Sequence, residues 1–309
     1  MTEVIILHEN DEWLPPFRQA FGAAGLTFSE WHLREGQVDL AAVPPDAIFY
    51  SRMSASAHTR GHAEAPALCQ AVLNWLESHG RTTLNGSRAL YFETSKVAQY
   101  TALTAAGIAT PATIATVGAQ ALVAAAQQLD QWPVIVKPNR GGKGLGVQKF
   151  DTLDGLKAFA ADAAAMADSV DGIWLLQEYF ETTDGTITRA EFIGGKLHYA
   201  VRVATGGSFE LCPAEACDID ETPRFLVTRD VPADLVQGFE AFLAMNAIAV
   251  AGIEFARLDD GRLLTYDINT NTNYNPTAEQ AAGVTPGPAR LAAHLMELLA
   301  ADSTAAAAA

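Results

Sequence analysis

The sequence predicts a mixed α/β protein, with a small parallel sheet at its N-terminal end and antiparallel strands further along the chain. Two patterns carry this prediction. Over about the first 90 residues, short apolar runs alternate with amphipathic stretches, as in strands connected by helices. Near the other end, two apolar runs flank Asp260-Gly261, a dipeptide typical of tight hairpin turns.

The N-terminal unit is predicted to alternate strands and helices. Strands are expected at 4–7, 28–33 and 46–50, and helices at 15–24 and 65–79. A polar loop, residues 51–62, follows the third strand. Because open α/β sheets bind ligands beyond the carboxyl ends of their strands, this loop is expected to face a substrate.

Beyond residue 90 the pattern continues with longer helices and paired strands. Helices are predicted at 94–106, 119–129, 153–167, 233–245 and 287–299. Strands are predicted at 111–118, 133–137, 147–150, 174–180, 188–193, 197–204 and in the 252–269 hairpin.

The bulk composition narrows the functional classes. A formal net charge of −16 disfavours binding to nucleic-acid phosphates or anionic membranes. The three cysteines, Cys69, Cys212 and Cys217, form neither a disulfide framework nor a zinc motif. The sequence shows no signal peptide and no apolar run of membrane-spanning length. We therefore expect a cytoplasmic protein without nucleic-acid or membrane partners.

The predicted hairpin brings acidic side chains together. If Asp260-Gly261 forms a two-residue loop, Leu258 faces Leu263 and Glu254 faces Asp267. Asn269 then shares a face with Asp267. Directly opposed side chains have Cβ atoms about 5 Å apart, and like charges there are destabilising. A divalent cation between them would resolve the conflict, and oxygen ligands favour Mg²⁺ or Mn²⁺. The alternative is a surface hairpin whose acids point to water.

A glycine-rich loop forms the second candidate site. Residues 137–147 contain four glycines and three basic side chains, and backbone N–H groups in such a loop bind anions. The loop is not a Walker A motif, because Gly144 follows Gly142-Lys143 where Ser or Thr is required. A glycine-rich loop between antiparallel strands is typical of a flap over nucleotide phosphates. The alternative is a mobile hairpin loop.

The order of motifs is more specific than any one of them. A strand ending in Lys137, the glycine-rich loop, a strand ending at 177–179, strands with Arg189 and Arg202, and the acidic hairpin follow one another. Over roughly residues 90–300 this order resembles the ATP-grasp superfamily, most closely carboxylate–amine ligases such as the ribosomal-protein glutamate ligases. Glutathione synthetase and D-alanine–D-alanine ligase are more distantly similar.

This resemblance implies an α/β (α+β) architecture: an ATP-grasp fold preceded by a small N-terminal parallel-sheet domain. The implied division is an N-terminal domain at 1–90 and a central subdomain with the flap at 91–180. A C-terminal antiparallel lobe with the metal site follows at 181–303. The alanine-rich end of the chain, 304–309, is expected to form a disordered tail.

The resemblance also implies the roles of individual residues. Arg202, Lys137 and Arg189 are implied to be catalytic, acting on the transferred phosphoryl group. The metal ligands are implied to be Glu254, Asp267 and Asn269, holding two Mg²⁺ ions, with Mn²⁺ as a substitute. The implied ATP contacts are Lys96, Lys137, Arg140, Gly141, Gly142, Lys143, Gly144, Gln177, Glu178, Tyr179 and Asp184.

The chain departs from the family pattern at three places. The longer and shorter carboxylates at 254 and 267 are exchanged relative to many relatives, which preserves the reach across the metal. Ile187 stands where relatives carry an aspartate, so the ribose contact is expected to pass to Asp184 or Glu181. Residues 270–276 replace a short proline-glycine segment at the acceptor side. Asn271 and Asn273 of this segment are therefore expected to contact the substrate. Further substrate contacts are expected from the polar loop after the third strand, at Arg52, Ser54, Ser56 and Arg60, since arginine suits a carboxylate and serine adds hydrogen bonds. The alternative is that the two arginines are ordinary surface residues.

The implied activity is ATP-dependent joining of a carboxylate to an amine, with the substrate an amino acid, a peptide or a related small metabolite. A homodimer or homotetramer is compatible with this class. The alternatives are a small-molecule kinase of the same fold and a non-catalytic nucleotide-binding subunit. His58 and His62 are four residues apart, but they lie in a predicted loop without a third ligand, so a zinc site is not expected.

Overall fold

The computed structural model describes residues 3–142, 144–206 and 224–308. Its N-terminal sheet is parallel, with strand order β2-β1-β3-β4. The strands are β1 (Val4–His8), β2 (Phe28–His32), β3 (Ile48–Ser51) and β4 (Thr83–Leu84), and the connecting helices are α1 (Pro15–Ala23) and α2 (Ala65–Ser78). The polar loop after β3 contains a 3₁₀ helix, Ala55–Arg60, whose N-terminal cap is the Ser54 side chain. The predicted alternation of strands and helices is thus confirmed.

The central sheet is antiparallel and carries the glycine-rich loop. It is preceded by α3 (Ser87–Glu93) and α4 (Lys96–Ala105). Its strands are β5 (Thr113–Val117), β6 (Val134–Pro138), β7 (Gln148–Phe150) and β8 (Ile173–Glu178), in the order β5-β8-β6-β7. Its helices are α5 (Ala119–Leu129), α6 (Leu153–Ala161) and α7 (Ala163–Met166). The single helix predicted at 153–167 is divided at Asp162, whose side chain caps the new helix.

The C-terminal sheet is antiparallel, with strand order β11-β10-β9-β12-β13. Its strands are β9 (Thr186–Ile193), β10 (Lys196–Ala204), β11 (Phe225–Thr228), β12 (Val250–Arg257) and β13 (Leu263–Asn269). The helices are α8 (Ala233–Met245), α9 (Pro276–Ala282) and α10 (Gly287–Ala308). The last helix continues to Ala308, where a disordered tail was expected, because the run of alanine has a high helix propensity. No helix in the described part of the chain is long and apolar enough to cross a membrane.

The register of the acidic hairpin corrects one prediction. Leu263 pairs with Arg257, and Leu258 donates its N–H to Arg262 at 2.9 Å, so the connection is longer than two residues. A bulge between Glu254 and Phe255 then shifts the register by one. Glu254 therefore faces Asp267, as predicted. The pairing predicted at the tip of the hairpin is thus wrong by one residue. The bulge, which periodicity does not reveal, shifts the register by one residue and so restores the predicted pairing of the two acids.

The face of the C-terminal sheet that packs against α8 carries aromatic side chains. Phe192 and Phe255 pack against Phe239 of α8, with ring centroids 6.0 and 6.1 Å from it. Because strand side chains alternate between faces, Arg189 and Glu254, which pair across β9 and β12, lie on the other face. Burial of the aromatic face thus fixes which side chains reach the site.

Asn85 connects the N-terminal sheet to the C-terminal sheet. Its amide nitrogen donates to the carbonyls of Val250 and Thr270, both at 2.7 Å. Its oxygen accepts from the N–H groups of Ala249 at 3.0 Å and Val250 at 2.9 Å. The residue is buried, and its φ of 54° lies in the left-handed region that asparagine tolerates.

We expect Asn85→Ala to lower the free energy of unfolding by about 2–4 kcal/mol, because buried backbone groups lose their partners. Urea denaturation should show this loss. The matched control is Asn74→Ala on the exposed side of α2, expected to change stability by less than about 0.5 kcal/mol. Equal stability of the two variants would contradict this role for Asn85.

Candidate active site

The site is a cavity of about 490 Å³ between the central sheet, the C-terminal sheet and loops of the N-terminal unit. The central sheet contributes Lys137 and the glycine-rich loop, and the C-terminal sheet contributes Arg189 and the acidic hairpin. The loop after β3 closes a further side through Ser54 and Ser56. The structure thus brings together most, but not all, of the residues that the sequence predicts to be functional.

The three oxygen-bearing side chains of the hairpin lie together. Asn269 Nδ2 is 3.1 Å from Asp267 Oδ2 and 3.5 Å from Glu254 Oε1. Burial and the neighbouring Asp267 raise the pKa of Glu254 to about 7, although Arg189 opposes this. Burial alone would raise the pKa of Asp267 too, but Lys96 and Lys137 outweigh it and hold this pKa below its usual value.

This donor set fits a hard divalent cation. Two carboxylates and an amide, largely buried and facing one another, match the oxygen ligands that Mg²⁺ prefers. The raised pKa of Glu254 reflects an electrostatic conflict that a bound cation would relieve. The assignment of these residues as ligands stays a prediction.

Two lysines stand beside the acids. Lys96, at the start of α4, is 3.1 Å from Asp267 Oδ1 and donates to the carbonyl of Gly141 at 3.4 Å. Lys137 is buried and donates to the hydroxyl of Tyr100 at 2.6 Å. Burial, reinforced by Lys96, lowers the pKa of Lys137 to about 7. An anion entering the cavity would favour the charged form of Lys137.

The strand predicted to read an adenine base borders the cavity only in part. Gln177 and Tyr179 line it, whereas Glu178 turns away and accepts from the N–H of Ala112 at 2.8 Å. Phe180, which the sequence analysis did not single out, also lines the cavity. In the sequence, the apolar stretch at 173–176 indicates the strand that leads to this edge of the cavity.

Of the two residues expected at a ribose, only one borders the cavity. Glu181 lines it, as does Ile187. Asp184 instead accepts from the backbone and side chain of Thr186 at 3.1 and 2.5 Å. The geometry therefore favours Glu181 over Asp184.

The glycine-rich loop lies over the same cavity. Gly141, Gly142 and Gly144 line it, while Arg140 donates to the carbonyl of Ala63 at 3.2 Å. A Cβ added at Gly142 would lie 3.4 Å from Ser56 Cβ, so the loop closely approaches the polar loop after β3. Lys143 lies outside the described residues, as do Cys212 and Cys217.

Arg189 is held firmly among charged partners. Its Nε is 2.8 Å from Glu191 Oε1, and its Nη1 is 3.4 Å from Glu254 Oε1. Its Nη2 also donates to the hydroxyl of Thr272. A Cβ at Gly252 would lie 2.5 Å from Arg189 Nε, so the absence of a side chain there leaves room for the guanidinium.

Arg202 does not join this group. It pairs with Thr188 across the sheet, whereas Arg189 pairs with Val201, so the two arginines lie on opposite faces. Its side chain is 40% exposed and forms ion pairs with Asp230 at 3.4 Å and Asp184 at 3.9 Å. The role expected for Arg202 on a phosphoryl group is therefore not supported by its position.

The predicted substrate residues separate into two layers. Ser54, Ser56, Asn271 and Asn273 line the cavity. Neither Arg52 nor Arg60 lines the cavity, so their positions do not support the expected direct clamp on a substrate carboxylate. The reason is that each arginine has nearer partners: Asn273 for Arg52, and Glu9 together with Ser56 for Arg60.

Glu93 is a cavity residue that the sequence analysis missed. Its Oε1 accepts from the N–H of Ala55 at 3.2 Å. Its Oε2 accepts from the N–H groups of Thr270 at 2.7 Å and Asn271 at 3.2 Å. Burial raises its pKa although these donors oppose the shift. Glu93 thus links the polar loop after β3 to the segment after the acidic hairpin.

Histidines close to the cavity have other partners than a metal. His62 Nδ1 lies 2.7 Å from Glu9 Oε2, and His58 Nδ1 lies 3.1 Å from the carbonyl of Ala55. Elsewhere, His8, Asp11 and His32 lie together at the end of the N-terminal sheet. There Arg34 donates to His32 Nδ1 at 3.1 Å, and His32 Nε2 lies 3.1 Å from Asp11.

The chain is similar to known proteins in part of its sequence and in its fold. No protein-family model matches the chain. A D-alanine–D-alanine ligase of Streptomyces avermitilis is 26% identical over 163 residues, which cover 50% of this chain and 41% of that ligase. The match therefore spans less than half of the length of that curated relative.

Solved structures resemble the chain over nearly its whole length. An ATP-grasp RimK domain protein from Sphaerobacter thermophilus has a TM-score of 0.69 at 17% identity, covering 94% of this chain and 98% of the other. D-cycloserine synthetase DcsG has a TM-score of 0.66 at 20% identity, covering 96% and 99%. The chain has the ATP-grasp fold, as the order of its motifs predicts.

The metal assignment can be tested with a matched pair of variants in one hairpin. We expect Asp267→Asn to weaken Mn²⁺ binding in the presence of a non-hydrolysable ATP analogue by at least about tenfold, because one carboxylate ligand is lost. Asp260→Asn, at the exposed tip, should leave it unchanged. Electron paramagnetic resonance of free Mn²⁺ measures both, and equal affinities would refute the assignment.

Proposed function

We propose that this ATP-grasp protein is an ATP-dependent ligase that joins a carboxylate to an amine as an amide or peptide bond. One observation carries the proposal: a single cavity holds a glycine-rich loop, two lysines, an all-oxygen acidic cluster and Arg189. These are groups that bind a nucleoside triphosphate, its cation and a transferring phosphoryl group. The D-alanine–D-alanine ligase similarity and the resemblance to D-cycloserine synthetase support the same class.

The proposed reaction has two steps. A carboxylate oxygen of the substrate attacks the γ-phosphorus of ATP, the bond to the β–γ bridging oxygen breaks, and ADP leaves. The product is an acyl phosphate. An amine nitrogen then attacks the acyl carbon, inorganic phosphate leaves with the carbon–oxygen bond electrons, and the nitrogen loses a proton. No nucleophilic side chain takes part.

The chain's own residues position the reactants and balance their charge. Lys96 and Lys137 would face the phosphates, and the 140–146 loop would cover them and keep water from the acyl phosphate. Arg189 would lie beside the transferring group. Glu254, Asp267 and Asn269 would hold Mg²⁺, two ions being the expected number. When bound, Mg²⁺ neutralises phosphate charge and polarises the phosphoryl oxygens.

The substrates are proposed to be an amino acid, a peptide or a related small metabolite, together with an amine. We also propose that the domain division at residues 90 and 180 holds, so that three units meet at the active site. The sheet boundaries support this division, since β4 precedes residue 90 and β8 ends at Glu178.

ADP formation should depend on both a carboxylate and an amine. The full-length protein with ATP and Mg²⁺ would be screened against pairs of amino acids, and ADP and products would be measured by coupled assay and mass spectrometry. We expect an amide product and stoichiometric ADP for at least one pair. ADP formed without amine, with a stable phosphorylated product, would indicate a kinase. ATP binding without turnover would indicate a non-catalytic subunit.

The two arginines of the C-terminal sheet should differ in importance. Arg189→Lys is expected to lower kcat by about 100-fold, because an ammonium cannot reproduce the fork of hydrogen bonds near the phosphoryl group. Arg202→Lys, on the opposite face, should change kcat by less than about twofold. Steady-state ADP release measures both. A large loss of kcat in Arg202→Lys together with an unchanged kcat in Arg189→Lys would reverse the assignment.

A further inference from the structure

The wall of the cavity formed by Ser54, Ser56, Asn271 and Asn273, here called the amide–serine wall, is supported from behind by two arginines. Arg52 is 3% exposed, and its guanidinium lies 3.9 Å from the centre of the Phe17 ring. A buried arginine normally pairs with a carboxylate. Among the described residues Arg52 has none.

The contacts of Arg52 fix the orientation of Asn273. Arg52 Nη2 donates to Asn273 Oδ1 at 2.7 Å, and Nη1 donates to the carbonyl of Thr272 at 3.2 Å. Because the amide oxygen of Asn273 accepts from the arginine, its NH₂ group is the end left for the cavity that Asn273 lines. The positive charge behind it also strengthens the amide as a donor.

Arg60 acts on the two serines in a similar way. Its Nη1 donates to Ser56 Oγ at 3.1 Å, while its other side pairs with Glu9. Ser56 Oγ lies 2.9 Å from Ser54 Oγ, which also accepts from the N–H of Ser56 at 3.1 Å. Either hydroxyl can donate in this pair. If Ser56 donates, the oxygen of Ser54 accepts twice and its own proton is left for the cavity.

The unpaired side chain of Asn271 is an independent indication that a ligand binds at this wall. It lines the cavity and is 8% exposed, yet neither its Oδ1 nor its Nδ2 has a hydrogen-bond partner in the described part of the chain. Leaving a buried polar group without a partner costs about 1–3 kcal/mol. A polar group entering beside Asn271 would recover this free energy.

We propose that Ser54, Asn271 and Asn273 form a subsite that binds a carboxylate group of the substrate, with Arg52 and Arg60 as positioning residues. This inference rests on the proposed ligase function and specifies its substrate. The wall presents hydrogen-bond donors, and the unpaired charge of Arg52 lies behind them, so an anionic acceptor is favoured. At Asn273 an ammonium group is disfavoured, because the amide oxygen of this residue already accepts from Arg52.

The position of the subsite suits a carboxylate better than another phosphate. The phosphates of ATP would have their own partners in the glycine-rich loop and in Lys96 and Lys137. Asn271 is two residues from Asn269, and Gly142 of the flap lies against Ser56, with an added Cβ only 3.4 Å from Ser56 Cβ. A carboxylate bound here would therefore lie beside the phosphates when the flap covers them.

Acid and amide probes can decide the chemistry. The full-length protein, loaded with Mg²⁺ and a non-hydrolysable ATP analogue, would be titrated calorimetrically with the L-amino acids and D-alanine, each beside its carboxamide. We expect at least one acid to bind at least about tenfold more tightly than its carboxamide. Equal affinity of acid and carboxamide, or no binding by any acid, would overturn the proposal.

Variants separate this wall from the rest of the site. Asn273→Asp replaces the donor with a carboxylate, and acid binding should fall by at least about tenfold while the affinity for the ATP analogue stays within about twofold. Asn275→Asp is the matched control, because it adds the same charge two residues away and aspartate can still cap α9. Acid binding by Asn273→Asp equal to that of the control would refute the subsite.

Arg52→Gln tests positioning. It should raise KM for the acid more than it lowers kcat, and it should reduce the ratio of acid to carboxamide affinity, which general loosening of the fold would not do. An unchanged ratio in folded Arg52→Gln would refute the role of Arg52. If this variant does not fold, Asn273→Asp and its control still decide the subsite.

Two sources of the carboxylate remain to be distinguished by one further measurement. The carboxylate that is activated transfers an oxygen to phosphate, whereas a carboxylate carried by the amine substrate does not. With an ¹⁸O-labelled acid, label in the released phosphate identifies the substrate whose carboxylate is activated. Asn273→Asp should raise the KM of the substrate that the subsite holds, so the two results together show which carboxylate binds there. If no amide forms at all, the ligase proposal fails, but the calorimetric comparison still decides the subsite.

Discussion

The central constraint is that two carboxylates face each other across neighbouring strands. Glu254 and Asp267 are paired in the hairpin and largely shielded from water. Two like charges about 4 Å apart repel by roughly 4 kcal/mol at the effective dielectric constant of such sites. The protein compensates with cations from three separate elements: Arg189 of β9, Lys96 of α4 and Lys137 of β6. The site therefore exists only when the central and C-terminal sheets and α4 have come together.

How much of this site the sequence reveals depends on how far apart along the chain the contacting residues are. The pairing of Glu254 with Asp267 is local, and the sequence predicted it although the tip of the hairpin was misaligned. A bulge at Tyr266 corrected the register, and no periodicity signals such an extra residue. The fold class and the order of motifs were also readable, because strands, helices and glycine-rich turns leave patterns within short windows.

Bulges and contacts between distant residues were not readable, and they account for the differences. The face on which Arg202 lies depends on the register of the β9–β10 hairpin, which shifts between Leu197 and Tyr199, and periodicity does not reveal such a shift. Arg52 contacts a carbonyl 220 positions away along the chain, so its burial could not be inferred from the polar loop around it. Glu93 was overlooked for the same reason, since a lone acid at the end of a helix gives no sign of its partners. The sequence indicated which residues are polar near the cavity, but not which of them touch a ligand.

Glu93 shows why the wall and the acidic hairpin act as one unit. It accepts from Ala55 on one side of the cavity and from Thr270 and Asn271 on the other, and Thr270 directly follows Asn269. The distance between the proposed metal ligands and the wall is thus set by a few covalent bonds and one buried carboxylate. In a reaction without a nucleophilic side chain, rate depends on how well the reactants are positioned. The hydrogen bonds of Glu93 would supply that positioning before either reactant binds, because they join the proposed metal ligands to the proposed substrate wall.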